Sequence, residues 1–263
     1  MKQIKYMFLL SIIFFACDEI NLVNDFSKDY TFICVLKSDQ VTQKAYFYKA
    51  IDIKGDLDPA NAFIPDAEIV ISDGTISSQL QVYGSSYSDN SFFHGKILPN
   101  TKYDIQIKVN DEIITGSTTT PGEFTINRPS NDTVYLYKNA NGSYNDIPIS
   151  WSESANSFRY VVYSTIRYRN NFGEEIERPG IDHANGLIDT STAIYPFNDP
   201  MYIVYTAGTR IEYYAYQIRF VVYALDKNYY DHVILSRDRA GLSAQYGVFG
   251  SMIADSYTVY VKY

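Results

Sequence analysis

Apolar and polar residues alternate with a period of two through much of this chain. In TKYDIQIKVN (101–110), Tyr103, Ile105, Ile107 and Val109 alternate with Lys102, Asp104, Gln106 and Lys108. That pattern predicts a strand with one buried and one wet face. EIITGSTTT (112–120) follows across Asn110-Asp111, a pair suited to a tight hairpin turn. AEIVISDG (67–74) is a third short β-rich run bounded by turn formers. Pro99 and Asn100 set a turn leading into Tyr103, the arrangement of the tyrosine corner in immunoglobulin-like sandwiches.

The segment around 122–145 changes character, with Pro121, Gly122, Pro129 and Asn141-Gly142 as punctuation, and it predicts a domain junction. After it, a strand carrying the single Trp151 and a long strand from Phe158 match the opening of a fibronectin type III-like sandwich. EYYAYQIRFVVYAL (212–225) repeats the logic of a Tyr-rich start to a long strand. The end is a strand too: Tyr257, Val259, Val261 and Tyr263 alternate with Thr258, Tyr260 and Lys262. One short helix is predicted over 228–238, with Asn228 able to cap it. The predicted fold is therefore all-β: two immunoglobulin/fibronectin type III-like β-sandwiches in tandem, with at most one short helix in the second. The boundaries are 28–124 for the first sandwich, 125–145 for the junction and 146–263 for the second.

The N-terminus departs from this pattern. Lys2 and Lys5 precede a run from Tyr6 to Phe15 in which only Ser11 is polar, followed by Ala16 and Cys17. About 20 apolar residues are needed to span a bilayer, so this run is a signal peptide core. A cysteine directly after a small residue marks a bacterial lipoprotein signal: residues 1–16 are removed, Cys17 is lipidated, and residues 17–27 form a tether. Phe14 stands where Leu is usual. A lipidated Cys17 leaves Cys34 without a disulfide partner, and its β-rich surroundings make it a small buried hydrophobe.

Composition sharpens the picture. The chain carries a net charge of −8, and about −10 once the signal and its two lysines are gone (20 basic against 30 acidic residues). Such a chain is poorly suited to nucleic acid, whose binding rests on Lys and Arg at phosphates. The 26 tyrosines fit half-buried pleated surfaces, and a minority of them fit a contact surface.

Catalytic signatures are missing. His94, His183 and His232 are scattered, and no HExxH, CxxC, GxSxG, Walker loop or GxGxxG occurs. Asp182 beside His183 has no nucleophile elbow to complete a triad. No cofactor is indicated. Asp52, Asp56 and Asp58 share one loop and are weak calcium candidates whose spacing is not that of an EF-hand. GEEIE (173–177) reads as a solvated hairpin tip. Ligand-contact candidates are aromatics in or beside loops: Phe172, Tyr195, Phe197, Tyr202, Tyr229 and Tyr230.

FFACDEI, IPDAEIVISDG (64–74), ILPNTKYDIQIKV, ITGSTTTPGEF (114–124) and YGVFGSMIADSYTVYV (246–261) occur in order along the mature chain. In this order they resemble a family of uncharacterised bacterial lipoproteins with a domain of unknown function, often encoded beside TonB-dependent outer-membrane receptors. The last segment looks like that family's ending, Gly-x-Phe-Gly before a final strand, although SAQ replaces the Gly usual ahead of Tyr246. The resemblance implies a lipid-anchored location, at the outer membrane with the facing leaflet open, and a receptor partner. It supplies no catalytic residue. The expected function is a non-catalytic binding or accessory module for a TonB-dependent transport system. A structural or adhesive surface protein is the alternative, and a glycan-acting hydrolase a remoter one.

Overall fold

The computed structural model describes residues 30–49, 62–89, 97–180, 188, 190–198, 200–206, 208–243 and 246–263. Eight strands form the first unit: β1 (Tyr30–Lys37), β2 (Gln43–Lys49), β3 (Glu68–Ser72), β4 (Ser77–Gln79), β5 (Gln81–Tyr83), β6 (Ser86–Asp89), β7 (Lys102–Val109) and β8 (Glu112–Thr119). One layer runs β1-β2-β6-β5 and the facing layer runs β4-β3-β7-β8. The alternation in β7 decides its orientation: Tyr103, Ile105, Ile107 and Val109 are buried while their polar neighbours are exposed. They share one core with Phe32, Cys34, Leu36, Ala45 and Phe47 from the opposite layer. The β7–β8 turn is the expected two-residue hairpin, with Asn110 at φ 52°. The hydroxyl of Tyr103 accepts the backbone N–H of Leu98 at 2.9 Å, closing the predicted tyrosine corner.

The second unit is built from β9 (Thr133–Tyr135), β10 (Ile147–Ser150), β11 (Arg159–Arg169), β12 (Glu175–Pro179), β13 (Thr192–Tyr195), β14 (Met201–Thr206), β15 (Thr209–Leu225), β16 (Arg239–Ala240) and β17 (Tyr246–Lys262). The paired strands β10 and β13 lie over the layer formed by β12-β11-β15-β17. Between the layers the rings of Tyr195 and Phe220 meet edge to face at 5.1 Å, and Trp151 lies against Tyr160 at 5.3 Å. Residues 125–145 lie along this unit: Ile126 bridges to Trp151, and β9 pairs in parallel with the end of β17.

The all-β architecture is thus present, as two sandwich units in tandem with one short helix among the described residues. β17 joins them. Its first half pairs in parallel with β1, from Thr31↔Tyr246 to Lys37↔Met252, and its second half pairs with β15, from Leu225↔Met252 to Gln217↔Tyr260. The result is one continuous sheet of eleven strands shared by both sandwiches. Two glycines make this possible. Gly247, at φ 118°, lies so close to β1 that a Cβ would fall 1.8 Å from the Phe32 carbonyl oxygen. Gly250 sits under the helix, where a Cβ would meet the backbone of Tyr229 at 3.0 Å. The Gly-x-Phe-Gly motif therefore lies inside the last strand, not before it.

The helix α1 (Lys227–Val233) is capped by Asp226, whose carboxylate accepts the Tyr229 N–H at 2.8 Å; Asn228, the expected cap, lies in its first turn. Asn228 instead donates to the Ser117 carbonyl at 2.9 Å and the Phe249 carbonyl at 3.0 Å, tying β8 to β17. The Asp226 carboxylate also accepts from the Thr118 hydroxyl on β8, which lies 3.1 Å from Ser251 on β17. Burial raises the pKa of Asp226, and its hydrogen bonds offset part of that rise. Asp255 adds a second fastening by accepting the Ile126 N–H at 2.9 Å.

Candidate contact surface

Two hairpins project at the far end of the second unit. The turn between β11 and β12 is organised by Asn170. Its Oδ1 accepts the N–H groups of Phe172 and Glu174, both at 2.9 Å, while its Nδ2 donates to Glu174 Oε2 at 2.8 Å. Tyr213 also donates to that carboxylate, at 3.1 Å. An Asn side chain that bonds its own backbone two residues on, followed by Gly173 at φ 85°, is a preorganised turn. Its product is Phe172 held outward at 87% exposure.

The second hairpin joins β14 and β15 across Thr206↔Thr209, with Gly208 at φ 82°. Tyr205 and Tyr214 are exposed on it. Tyr202 packs against Tyr168 at 6.0 Å and under the guanidinium of Arg178 at 4.7 Å. On the outer face Arg169 lies 4.3 Å over the Tyr216 ring, and Glu175 accepts from both Arg169 (2.9 Å) and the Tyr216 hydroxyl (2.9 Å). Those two hydrogen bonds hold the Glu175 carboxyl below the usual range. The acidic run at 173–177 is the exposed hairpin tip expected, with its carboxylates engaged: Glu174 and Glu175 as above, and Glu177 accepting from Arg167 at 2.8 Å. The result is an exposed surface of aromatic rings and paired charges.

Of the six aromatics expected at a contact surface, Phe172 projects at this end, and Tyr202 lies at the same end but is partly buried against the core. Tyr195 and Phe197 do not project; each is 1% exposed and belongs to the core, because the loop after β13 folds inward beneath Tyr144. Tyr229 and Tyr230 lie elsewhere, on α1. Tyr229 covers Val161, Leu225 and Met252, and Tyr230 meets Phe158 at 4.6 Å. Tyr205 ends the aromatic run YPFNDPMYIVY (195–205) but is not among the six, and Tyr214 reads from sequence only as part of a long strand. Cys17, Asp52, Asp56, Asp58, His94, Asp182 and His183 lie outside the described residues, among which no group of three or more metal-ligating side chains occurs. Cys34 is fully buried, and burial pushes its thiol up to about 12.

The hairpin end and the start of β1 lie far apart. β1 begins beside Tyr246, whereas the hairpins lie past Tyr260 at the other end of β17. The 17 residues of that strand span roughly 55 Å at about 3.3 Å per residue.

No protein-family model and no curated protein sequence matches the chain. Among solved structures it is similar to the three N-terminal domains of the highly immunogenic outer capsid protein (Hoc) of bacteriophage RB49. The identity is 9%, the coverage 89% of this chain and 70% of that one, and the TM-score 0.25. It is also similar to the FN1–FN3 domains of chicken CNTN1, at 11% identity, covering 88% of this chain and 63% of that one, with a TM-score of 0.24. Likeness at that level carries no argument, and the fold class rests on the strand pairing described above.

Proposed function

We propose that this chain is a non-catalytic binding module of the cell envelope, lipid-anchored through Cys17, that presents the hairpin end of its second sandwich to a TonB-dependent outer-membrane receptor. The separation of β1's start from the projecting hairpins carries the reading. A chain tethered ahead of Tyr30 is held at one end of the shared sheet, and Phe172 and Tyr205 stand at the other. Fusion through β17 supports it further, since two sandwiches sharing a sheet act as one stiff arm, where a free linker would leave their orientation open. The rigid Asn170 turn supports a binding role, because a preorganised contact loses little conformational entropy on association.

The test is crosslinking in the native host, followed by affinity isolation of the tagged protein from solubilised outer membranes and mass spectrometry. The expected result is a stoichiometric barrel receptor with the wild type and its loss with Phe172→Ala/Tyr205→Ala. An eluate lacking a barrel, from a fraction rich in the lipoprotein, overturns the receptor assignment. The stiff two-unit arm equally suits a structural or adhesive surface protein, and that reading then takes its place.

A further inference from the structure

The outer face of the shared sheet carries a second feature, separate from the hairpin tips. The chain is acidic overall, yet Arg167 and Arg219 stand together on this face. Cross-strand register places Arg219 on β15 between Thr165 on β11 and Thr258 on β17. The next row toward the hairpins sets Gln217 between Arg167 and Tyr260. Residues directly opposite across strands have Cβ atoms about 5 Å apart, so the Arg219 side chain rises between those of the two threonines. Thr165, Arg167, Gln217, Arg219 and Thr258 line a depression of about 180 Å³ together with Glu177, whose carboxylate is taken up by Arg167, and Tyr260 stands beside it.

The two arginines differ. Arg167 is held by Glu177 at 2.8 Å, with a longer bond to Gln217 at 3.3 Å. Arg219 forms no ion pair among the described residues. A guanidinium flanked by hydroxyl donors matches a carboxylate, which it can engage with two parallel hydrogen bonds. Rings bracket the depression on either side along the sheet: Tyr260, half-exposed, and the Tyr163–Tyr223 pair at 5.6 Å. β15 is interior here, bonded to β11 and β17 on its two sides. An extended peptide therefore finds no free backbone groups to pair with. What the face offers is flat rings for the apolar faces of sugars and a cation for an acid group.

We propose that the Arg219 depression is a carboxylate subsite for a uronic-acid-bearing polysaccharide laid across the outer face of the shared sheet. The glycan's carboxylate sits between Arg219, Thr165 and Thr258, and the adjacent sugar rings stack on Tyr260 and Tyr163. No bond is made or broken.

The test is calorimetric titration of the full chain in detergent with an oligogalacturonate, its methyl ester (the same shape without the charge) and an oligoglutamate of equal charge. Binding of the acid form is expected to weaken with salt, and to fall about tenfold or more for the ester and for Arg219→Gln, the loss of one charge-assisted contact. Thr258→Val is expected to weaken it by a smaller factor. Circular dichroism confirms that both exposed-face variants are folded. Equal affinity of Arg219→Gln and wild type, no binding of the oligogalacturonate at millimolar concentration, or tighter binding of the oligoglutamate each overturns the proposal. None of these outcomes depends on whether a receptor is found at the hairpin end.

Discussion

Replacing Gly247 by alanine attacks the joint between the two sandwiches. The residue adopts φ 118°, where side chains are strained whatever the space, and its Cβ would lie 1.8 Å from the Phe32 oxygen and 2.7 Å from the Phe32 carbonyl carbon. Holding a residue in a sparsely populated conformation costs about 1–3 kcal/mol. The clash adds to this, because the obstructing atoms are backbone of β1 and cannot rotate away. Either β1 shifts and its ladder from Thr31 to Lys37 weakens, or the strand separates locally. A total of ~3–5 kcal/mol follows, at the upper end of single-substitution effects. Gly142→Ala is the matched control: φ is 85° there, but nothing lies within 4 Å of a new Cβ, so only about 1–2 kcal/mol of conformational strain applies. Urea unfolding reads the difference. With a slope near 3 kcal/mol per molar, Gly247→Ala lowers the midpoint by about 1–1.7 M and Gly142→Ala by about 0.5 M. Hydrogen exchange in Gly247→Ala should accelerate first in β1. Equal midpoints for the two variants would refute the claim that close approach of β1 and β17 demands glycine.

Three further outcomes follow from the structure. Phe172→Ala leaves the unfolding midpoint within about 0.5 kcal/mol of wild type, whereas Phe197→Ala costs ~3–5 kcal/mol; comparable losses for the two would remove Phe172 from the contact surface. Asp226 has a raised pKa in the folded state, so its linked stability is fully present at acid pH and is lost as pH rises through that pKa. The wild type should therefore gain stability relative to Asp226→Asn between pH 7 and pH 4, and urea midpoints at both pH values that show the reverse trend would contradict this. The buried Cys34 thiol, with its pKa near 12, should stay silent to a thiol-colorimetric reagent in the folded chain and react on unfolding. Rapid labelling of the native protein at Cys34 would contradict its placement in the core.

Local elements were readable wherever periodicity and turn chemistry agree. The alternation from Lys102 to Val109 fixes which side chains point inward, and Asn110-Asp111 fixes the hairpin. Leu98 to Tyr103 supplies the corner because donor and acceptor are near in sequence. Other assignments failed for one physical reason. Tyr195 and Phe197 look like loop residues, and nothing local tells a ring that folds beneath Tyr144 from one that faces solvent. Phe172 has a similar flanking composition and projects, because Asn170 and Gly173 shape its turn. Asp226 outcompeted Asn228 as the cap because Thr118 and Ser251, distant in sequence, gather on it.

The amino-acid sequence by itself determined the strand content, the inward and outward faces, the short helix after β15 and the burial of Cys34, since these follow from residue type and short-range spacing. Tertiary structure decided that the two sandwiches share one sheet. The parallel pairing of β1 with β17 joins residues more than 200 positions apart, and no local pattern encodes such a partner. The same pairing sets the hairpins at the opposite end of the molecule from the start of β1. It also extends one outer face, so that Arg219, Thr165 and Thr258, unremarkable in separate segments, become neighbours.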